Sequence, residues 1–369
     1  MRLNLSFDGD DQKINGHLAF ADQRRYVIRA LVPEGYESYF QEQARYISAH
    51  SSSAIEGNPI EEEEAMRMLA EQSQAESADE RETVNLEDAY EFIAQLSADK
   101  TTRIDQGLIR TLNSMAQKGL PDPKARNRGK YRVGPSFIID GTTREIRYRP
   151  PEAEIIPDLM AEFEDDLNRW LKEHPGPIAA ALAHFGLISI HPFEDGNGRT
   201  ARLIADMLLD LTGWSVESML SVSQAILVNH QGYIDALREA QGETFKEEAD
   251  VTPFVRYHME ALARSAAALE AKVIHFNQRR DMFIASNDGI FNERQVTALM
   301  FMLDIGPISS SVYARLTKSS QSSAVADLAQ MVEYRVADKV GAGKSTKYRI
   351  EPELLKRMNE IEETEVAAE

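Results

Sequence analysis

The sequence predicts a mainly α fold: a helical bundle with one small β-hairpin, followed by a C-terminal winged helix unit. Three observations carry this. Apolar residues recur at helical spacing along most of the 369 residues, with Gly, Pro and Asn marking the breaks. The segment PIAAALAHFGLISI, residues 177–190, is apolar nearly all round, as a helix at the centre of a bundle is. In SFIIDGTTREIRY, residues 136–148, two short β-like runs flank Asp140-Gly141 and read as a hairpin.

From the N-terminus, a helix fits residues 35–56 and is stopped by Gly57-Asn58-Pro59. Asn58 suits an N-cap, with Pro59 at N1 and Glu61 at N3, for a second helix whose Glu run makes a solvated first turn. Further helices fit 82–96, 104–117 and 152–173. Beyond the apolar helix, RTARLIADMLLDL opens another near Arg199, and helical periodicity continues to about residue 285. Ser286-Asn287-Asp288-Gly289 reads as a domain boundary. The next unit is a set of short helices ending in VADKVGAGKSTKYRI, a two-stranded wing, and the Glu- and Ala-rich end reads as a frayed helical tail. The expected division is an N-terminal helical region 1–110, a core 111–265, a linker helix 266–288, the winged helix 289–352 and a tail 353–369.

Composition limits the function. With 43% hydrophobic residues, each of two or three domains has material for a core. A formal net charge of −19 opposes nonspecific attraction to nucleic acid or an anionic membrane, so any such contact must be local. The absence of cysteine excludes disulfides, zinc-thiolate sites and Cys nucleophiles. The start, MRLNLSFDGDDQK, lacks an apolar signal region, and no apolar run approaches the ~18 residues of a membrane span. A soluble, cytoplasmic protein with no membrane partner is expected.

The chemistry gathers in HPFEDGNGRTAR, residues 191–202, a loop opening onto a helix. A helix N-terminus offers unpaired N–H groups and partial positive charge to an anion. Gly196 and Gly198 let the backbone come close to it. Arg199 and Arg202 stand i, i+3 and can grip further phosphates. Asp195 supplies the hard oxygen that Mg²⁺ takes when shared with substrate phosphates. His191, ordinarily titrating at ~6.5, can deprotonate an attacking hydroxyl at neutral pH. Together these residues suit phosphoryl or nucleotidyl transfer. His184, one stretch earlier, reads as a core histidine.

HPFEDGNGRTAR also resembles the signature of the Fic family, HPFx(D/E)GNGRxxR, at every specified position, with the likeness extending over about residues 30–265. The resemblance implies a Fic-type bundle and an enzyme that transfers AMP from ATP to a protein hydroxyl, releasing pyrophosphate. It implies His191 as general base for a target Ser, Thr or Tyr and Asp195 as Mg²⁺ ligand. Asn197 and the backbone of Gly196 and Gly198 would hold the α-phosphate, Arg199 and Arg202 the outer phosphates, and Phe193 would anchor the loop. The hairpin at 136–148 resembles the family's flap, which aligns a target by strand addition. GYIDALREAQG resembles the stretch carrying an adenine-contacting amide. Spacing from Tyr233 puts Gln241 in that place, where Asn is more familiar.

A second motif, SSSAIEGN, spans residues 51–58. Glu56 ends a helix just before Gly57, where an acid opposes the macrodipole by ~0.3 to 1 kcal/mol, so it faces water or has a cationic partner. The stretch resembles the family's inhibitory motif, (S/T)xxxE(G/N), with Ser52 and Glu56 in the diagnostic places. The resemblance implies a self-inhibited enzyme in which Glu56 pairs with Arg202 and keeps the γ-phosphate from settling. Ser52, at i−4, is expected to hold Glu56 in place.

In the C-terminal unit GAGKST, residues 341–346, imitates a P-loop, but GxxxxGK(S/T) needs Gly where Asp338 stands, and only 23 residues follow Thr346. The surrounding segment resembles the winged helix-turn-helix often fused to Fic domains. Residues 289–350 hold eight Lys or Arg against five Asp or Glu, which favours a nucleic-acid surface. The would-be recognition helix, SQSSAVADLAQMVEY, has no basic residue, and Ala326 stands where Arg is expected, so Lys339, Lys344, Lys347 and Arg349 of the wing are the better phosphate contacts. Weak DNA binding and protein docking both stay open for this unit. The expected partners are ATP, Mg²⁺ and a hydroxyl-bearing protein target, the chain itself included, with homodimerisation open. Two other functions are also carried: a DNA-binding regulator with a sensing or vestigial Fic module, and an enzyme that removes AMP.

Overall fold

The computed structural model describes residues 3–121, 126–139, 144–286, 289–343 and 346–356. The chain divides into two units: residues 1–30, 44–60 and 75–270 form the first, and 31–43, 61–74 and 271–369 the second.

The first unit is organised by α7 (Gly176–Ile190), which is buried along nearly its whole length. A helix apolar on every side gains only when every side is covered, at ~1.5–3 kcal/mol per large side chain. α6 (Ile156–Glu173) and α8 (Asn197–Leu211) lie against it, and α4 (Ala78–Ser97) and α5 (Gln106–Ala116) pack on α8. Phe163, Trp170 and Phe254 are buried around α7, Phe254 against Phe185 of α7 itself. The N-terminus of α8 therefore rests on a rigid wall, and the candidate site stands there. In the hairpin, β2 (Ile138–Ile139) pairs antiparallel with β3 (Ile146–Tyr148), Ile138 opposite Tyr148. The expected turn at Asp140-Gly141 lies outside the described residues.

Several expectations need correction. Asn58 does not cap the next helix: α3 (Glu62–Glu71) starts later, from Glu61, without a side-chain cap. Asn58 instead accepts from the Ile60 N–H and donates to the Asp79 carbonyl and the Glu82 carboxylate. α2 (Glu37–Ala54) ends two residues before Glu56, which sits in the turn that follows. α4 begins four residues early because Ser77 and Glu80 make a capping box, and α8 begins at Asn197 rather than Arg199. α1 (Gln12–Leu31) was not foreseen; only Ile14, Ala21 and Ile28 are buried along it, a stripe too narrow to signal a helix. The long periodic stretch up to residue 285 is three helices, α9 (Val222–Val228), α10 (His230–Gln241) and α11 (Thr252–Ser286). Between the last two runs β4 (Glu248–Asp250), parallel to β1 (Asn4–Ser6).

The second unit holds α12 (Glu293–Asp304), α13 (Ser310–Leu316) and α14 (Gln321–Glu333), each started by a side-chain N-cap from Asn292, Ser309 or Ser320. Asp327 ties them together, accepting from Arg294, Tyr313 and Asn292. β5 (Ala337–Val340) and β6 (Lys347–Ile350) then pair antiparallel. GAGKST joins these two strands, so it is not the strand-to-helix loop of a P-loop; Lys344 lies outside the described residues, as do 287–288 and 357–369. Arg294, Arg315, Lys347 and Arg349 all carry carboxylate partners. No described helix is long and apolar enough to cross a membrane.

Candidate active site

α7 ends on His191 in the left-handed region, φ 51° and ψ 58°. For a non-glycine residue this costs about 1–2 kcal/mol, so neighbouring contacts must hold it. Phe193 plugs the core at 1% exposure. Asn197 closes the loop: its Oδ1 accepts from the Phe193 N–H and its Nδ2 donates to the Phe193 carbonyl, both at 2.9 Å. The Asn197 amide thus braces the loop, and the backbone N–H groups that begin α8 could receive an anion.

Two buried amides that the sequence reading missed hold the next peptide. Asn113 Nδ2 of α5 and Nε2 of Gln117, the residue that caps its C-terminal end, donate to the Asp195 carbonyl at 3.0 and 2.6 Å. A peptide is planar and trans, so fixing that carbonyl fixes the Gly196 N–H on the opposite edge. Gly196 is required twice over: φ is +78°, and a Cβ would lie 2.7 Å from Gln117 Nε2. The Gly196 N–H donates to Asp195 Oδ1 at 2.6 Å. The other carboxylate oxygen, Oδ2, is buried without a partner. Among the described residues no three His, Asp or Glu gather as a metal site. One free carboxylate oxygen still fits Mg²⁺, which takes few protein ligands and fills its shell with phosphate oxygens and water.

Both signature arginines are buried and engaged. Arg199 pairs with Glu82 of α4 and, at 2.9 Å, with Asp195. Arg202 donates from Nη2 to Glu56 Oε1 at 2.7 Å and to the Ser52 carbonyl at 2.8 Å, and from Nε to Ser52 Oγ at 2.9 Å. Ser52 therefore steadies the arginine, not the glutamate as expected from i−4 spacing. Burial pushes the Glu56 carboxyl up, but Arg202 and Arg199 outweigh it and hold the group below its ordinary value. A Cβ on Gly198 would collide with Glu56 Oε1, so the acid sits against the first turn of α8.

Burial pushes His191 down to about 4; Arg132 adds to the fall, and the Ile188 carbonyl, Glu56 and Asp195 pull the other way. The imidazole is thus neutral at pH 7 and able to accept a proton. Gln241, the last residue of α10, donates to Ser189 Oγ at 3.0 Å, two residues before His191. His184 is fully buried and bonds Tyr233. Glu82, Asn113, Gln117 and Arg132 escaped the sequence reading; the one available signal was two amides at i, i+4 at the end of α5.

Comparison with known proteins bears on this geometry. Residues 103–209 match the Fic/DOC family. The protein adenylyltransferase Fic of Nematostella vectensis is 28% identical over 229 residues, 60% of this chain and 46% of that protein. That of Drosophila willistoni is 38% identical over 111 residues, 29% of this chain and 20% of that protein. The chain spans less than half the length of these curated relatives. A Fic family protein from Desulfovibrio desulfuricans superposes with a TM-score of 0.57 at 22% identity, over 93% of this chain and 97% of that one. A Fic domain containing signaling protein from Bacteroides thetaiotaomicron gives 0.58 at 23%, over 70% and 98%. The chain carries a Fic/DOC domain, and its fold is of the Fic type.

Proposed function

We propose that this protein is an adenylyltransferase that moves AMP from ATP to a Ser, Thr or Tyr hydroxyl of a protein and is held inactive at rest by Glu56. The observation that carries the reading is the placement of His191, Asp195, Arg199 and Arg202 around the N-terminus of one helix. The neutral His191 takes the proton of the target hydroxyl as its oxygen bonds to the α-phosphorus. The bond from that phosphorus to the bridging oxygen breaks, and pyrophosphate leaves. The N–H groups of α8 and the buried arginines stabilise charge on the phosphates. Asp195 would hold Mg²⁺, which when bound neutralises phosphate charge. The adenylyltransferase names of relatives matching the domain support the same chemistry.

Self-inhibition is supported by the Glu56–Arg202 pair. The carboxylate lies where phosphate oxygens would otherwise be drawn, so the arginine is spoken for until it leaves. Winged helix character for residues 289–352 is supported by α12, α13 and α14 with the antiparallel strands β5 and β6, and the ion pairs on Arg294, Arg315, Lys347 and Arg349 favour protein docking over DNA.

Incubating the wild type, Glu56→Gly and His191→Ala with α-labelled ATP and a cell extract tests the reading. Label on protein from Glu56→Gly, and none from His191→Ala, is the expected result. No transfer by Glu56→Gly from any labelled nucleotide would refute it. AMP release from a previously labelled protein by the wild type alone would favour removal, with Glu56, whose charge acts on His191, orienting a water.

A further inference from the structure

Arg132 is 3% exposed, and none of its partners among the described residues is a carboxylate. Its Nε donates to the His191 carbonyl at 2.9 Å, Nη1 to the Gly134 carbonyl at 2.8 Å and Nη2 to the Pro151 carbonyl at 2.5 Å. Its own backbone N–H donates to the Pro192 carbonyl at 2.9 Å. Glu152 and Glu154 act on it only through their charge. Burying a guanidinium without a bonded carboxylate is unfavourable, and a rigid fork that reads three carbonyls is a task for arginine rather than lysine. Such an arrangement calls for a function.

The three carbonyls indicate one. His191, in the left-handed region, and Pro192 after it form the corner from which the imidazole projects, while Gly134 and Pro151 bracket the hairpin strands β2 and β3. A second tie runs the same way: Tyr148 of β3 donates to the Ser189 carbonyl at 2.8 Å. Tyr131 also bridges to Phe193. We propose that Arg132 is the positioning residue for the general base, clamping the His191 peptide to both ends of the hairpin segment so that base and hairpin are set as one piece. The inference rests on the proposed adenylyl transfer, and Arg132 itself touches no reacting atom.

The clamp has an electrostatic side. The charged groups facing His191 are Glu56 from the turn after α2, Asp195 from its own loop and Arg132. A bound nucleotide adds negative charge and draws a proton onto the imidazole, which would disable it as a base. The Arg132 charge opposes this and keeps a ring nitrogen free to take the hydroxyl proton.

The test compares Arg132→Lys and Arg132→Met in the Glu56→Gly background. Lysine keeps the charge and loses the three-way fork; methionine loses both. Three quantities are measured: ATP affinity by calorimetry, single-turnover AMP transfer, and the His191 titration by NMR of labelled histidine, assigned with His191→Ala. Arg132→Met is expected to bind ATP within about three-fold of its parent. Its His191 midpoint should rise above about 4 by the part that Arg132 contributes, burial keeping the rest, and its transfer should fall roughly a hundredfold, the scale of a lost general base. Arg132→Lys should keep the midpoint and lose about tenfold in transfer. An unchanged midpoint with unchanged transfer, or ATP binding and transfer lost in proportion, would overturn the clamp. Should Arg132→Met fail to fold, Arg132→Lys decides alone: reduced transfer with intact ATP binding supports the clamp, and parental transfer rejects it. If the parent transfers nothing, the proposed function fails, while the titration still decides the clamp.

Discussion

Arg202 meets Ser52 and Glu56 together: Nη2 bridges the Ser52 carbonyl and the Glu56 carboxylate, while Nε bonds the Ser52 hydroxyl. The guanidinium is thus turned toward the last turns of α2 and the turn that follows it.

Removing the acid should free it. A charge-assisted bond contributes about 1.5–3 kcal/mol, and because the Glu56 side chain is 35% exposed the lower end applies. Glu56→Gly is expected to raise AMP transfer roughly tenfold or more. Ser52→Ala should give a smaller rise together with lower stability, since it leaves a buried Nε unpaired. Initial rates with α-labelled ATP and thermal melting of the three proteins check both statements.

The pH range of the proposed brake follows from the Glu56 carboxyl, held below its ordinary 4.5. A depressed acid contributes fully above its unfolded value and is lost only as pH falls through the folded one. The ratio of Glu56→Gln to wild-type transfer should therefore stay flat from pH 8 to 5.5. A ratio that shrinks steadily over that range would show that something other than this pair holds the enzyme off.

Asn113→Ala and Gln117→Ala each remove one donor from the Asp195 carbonyl. A buried acceptor left short costs about 1–3 kcal/mol. Because the two amides share one carbonyl and bond each other at 3.2 Å, the double variant should lose less than the sum of the singles. Denaturant midpoints give the coupling directly.

Asp206, one turn beyond Arg202 on α8, has its carboxyl pushed up to about 7 by burial and by the nearby Asp210. Between 3.8 and about 7 the unfolded chain releases this proton while the folded chain keeps it, so stability falls as pH rises through that window. Asp206→Asn should gain on the order of 1 kcal/mol over wild type at pH 8.5 and lose that advantage by pH 4. Urea titrations at the two pH values decide the sign.

Legibility from sequence tracked the range of the interactions. The loop 191–202 could be read because its chemistry lies in twelve consecutive residues, and α7 because apolarity on all sides has one structural outcome. Glu56 was legible as an acid in need of a cation, and its partner stands 146 residues away. Arg132, Glu82, Asn113 and Gln117 were not legible, since each acts through a backbone carbonyl or a buried charge brought near only by tertiary packing. Ser52 was read along its own helix when its bond runs across to another. Asn58, placed by local capping rules, was taken over by contacts to α4.

Gly198 has no side chain to keep Glu56 from the first turn of α8. The missing methyl admits a tethered anion to the place proposed for a phosphate, and a tethered ligand competes at an effective concentration that no dilution lowers. If the site takes a nucleotide as proposed, its apparent affinity is expected to be the intrinsic affinity scaled by the fraction of molecules in which that tether has swung out. Under the proposed function, a protein or modification that draws the Glu56 segment away is expected to act as an allosteric activator without touching ATP.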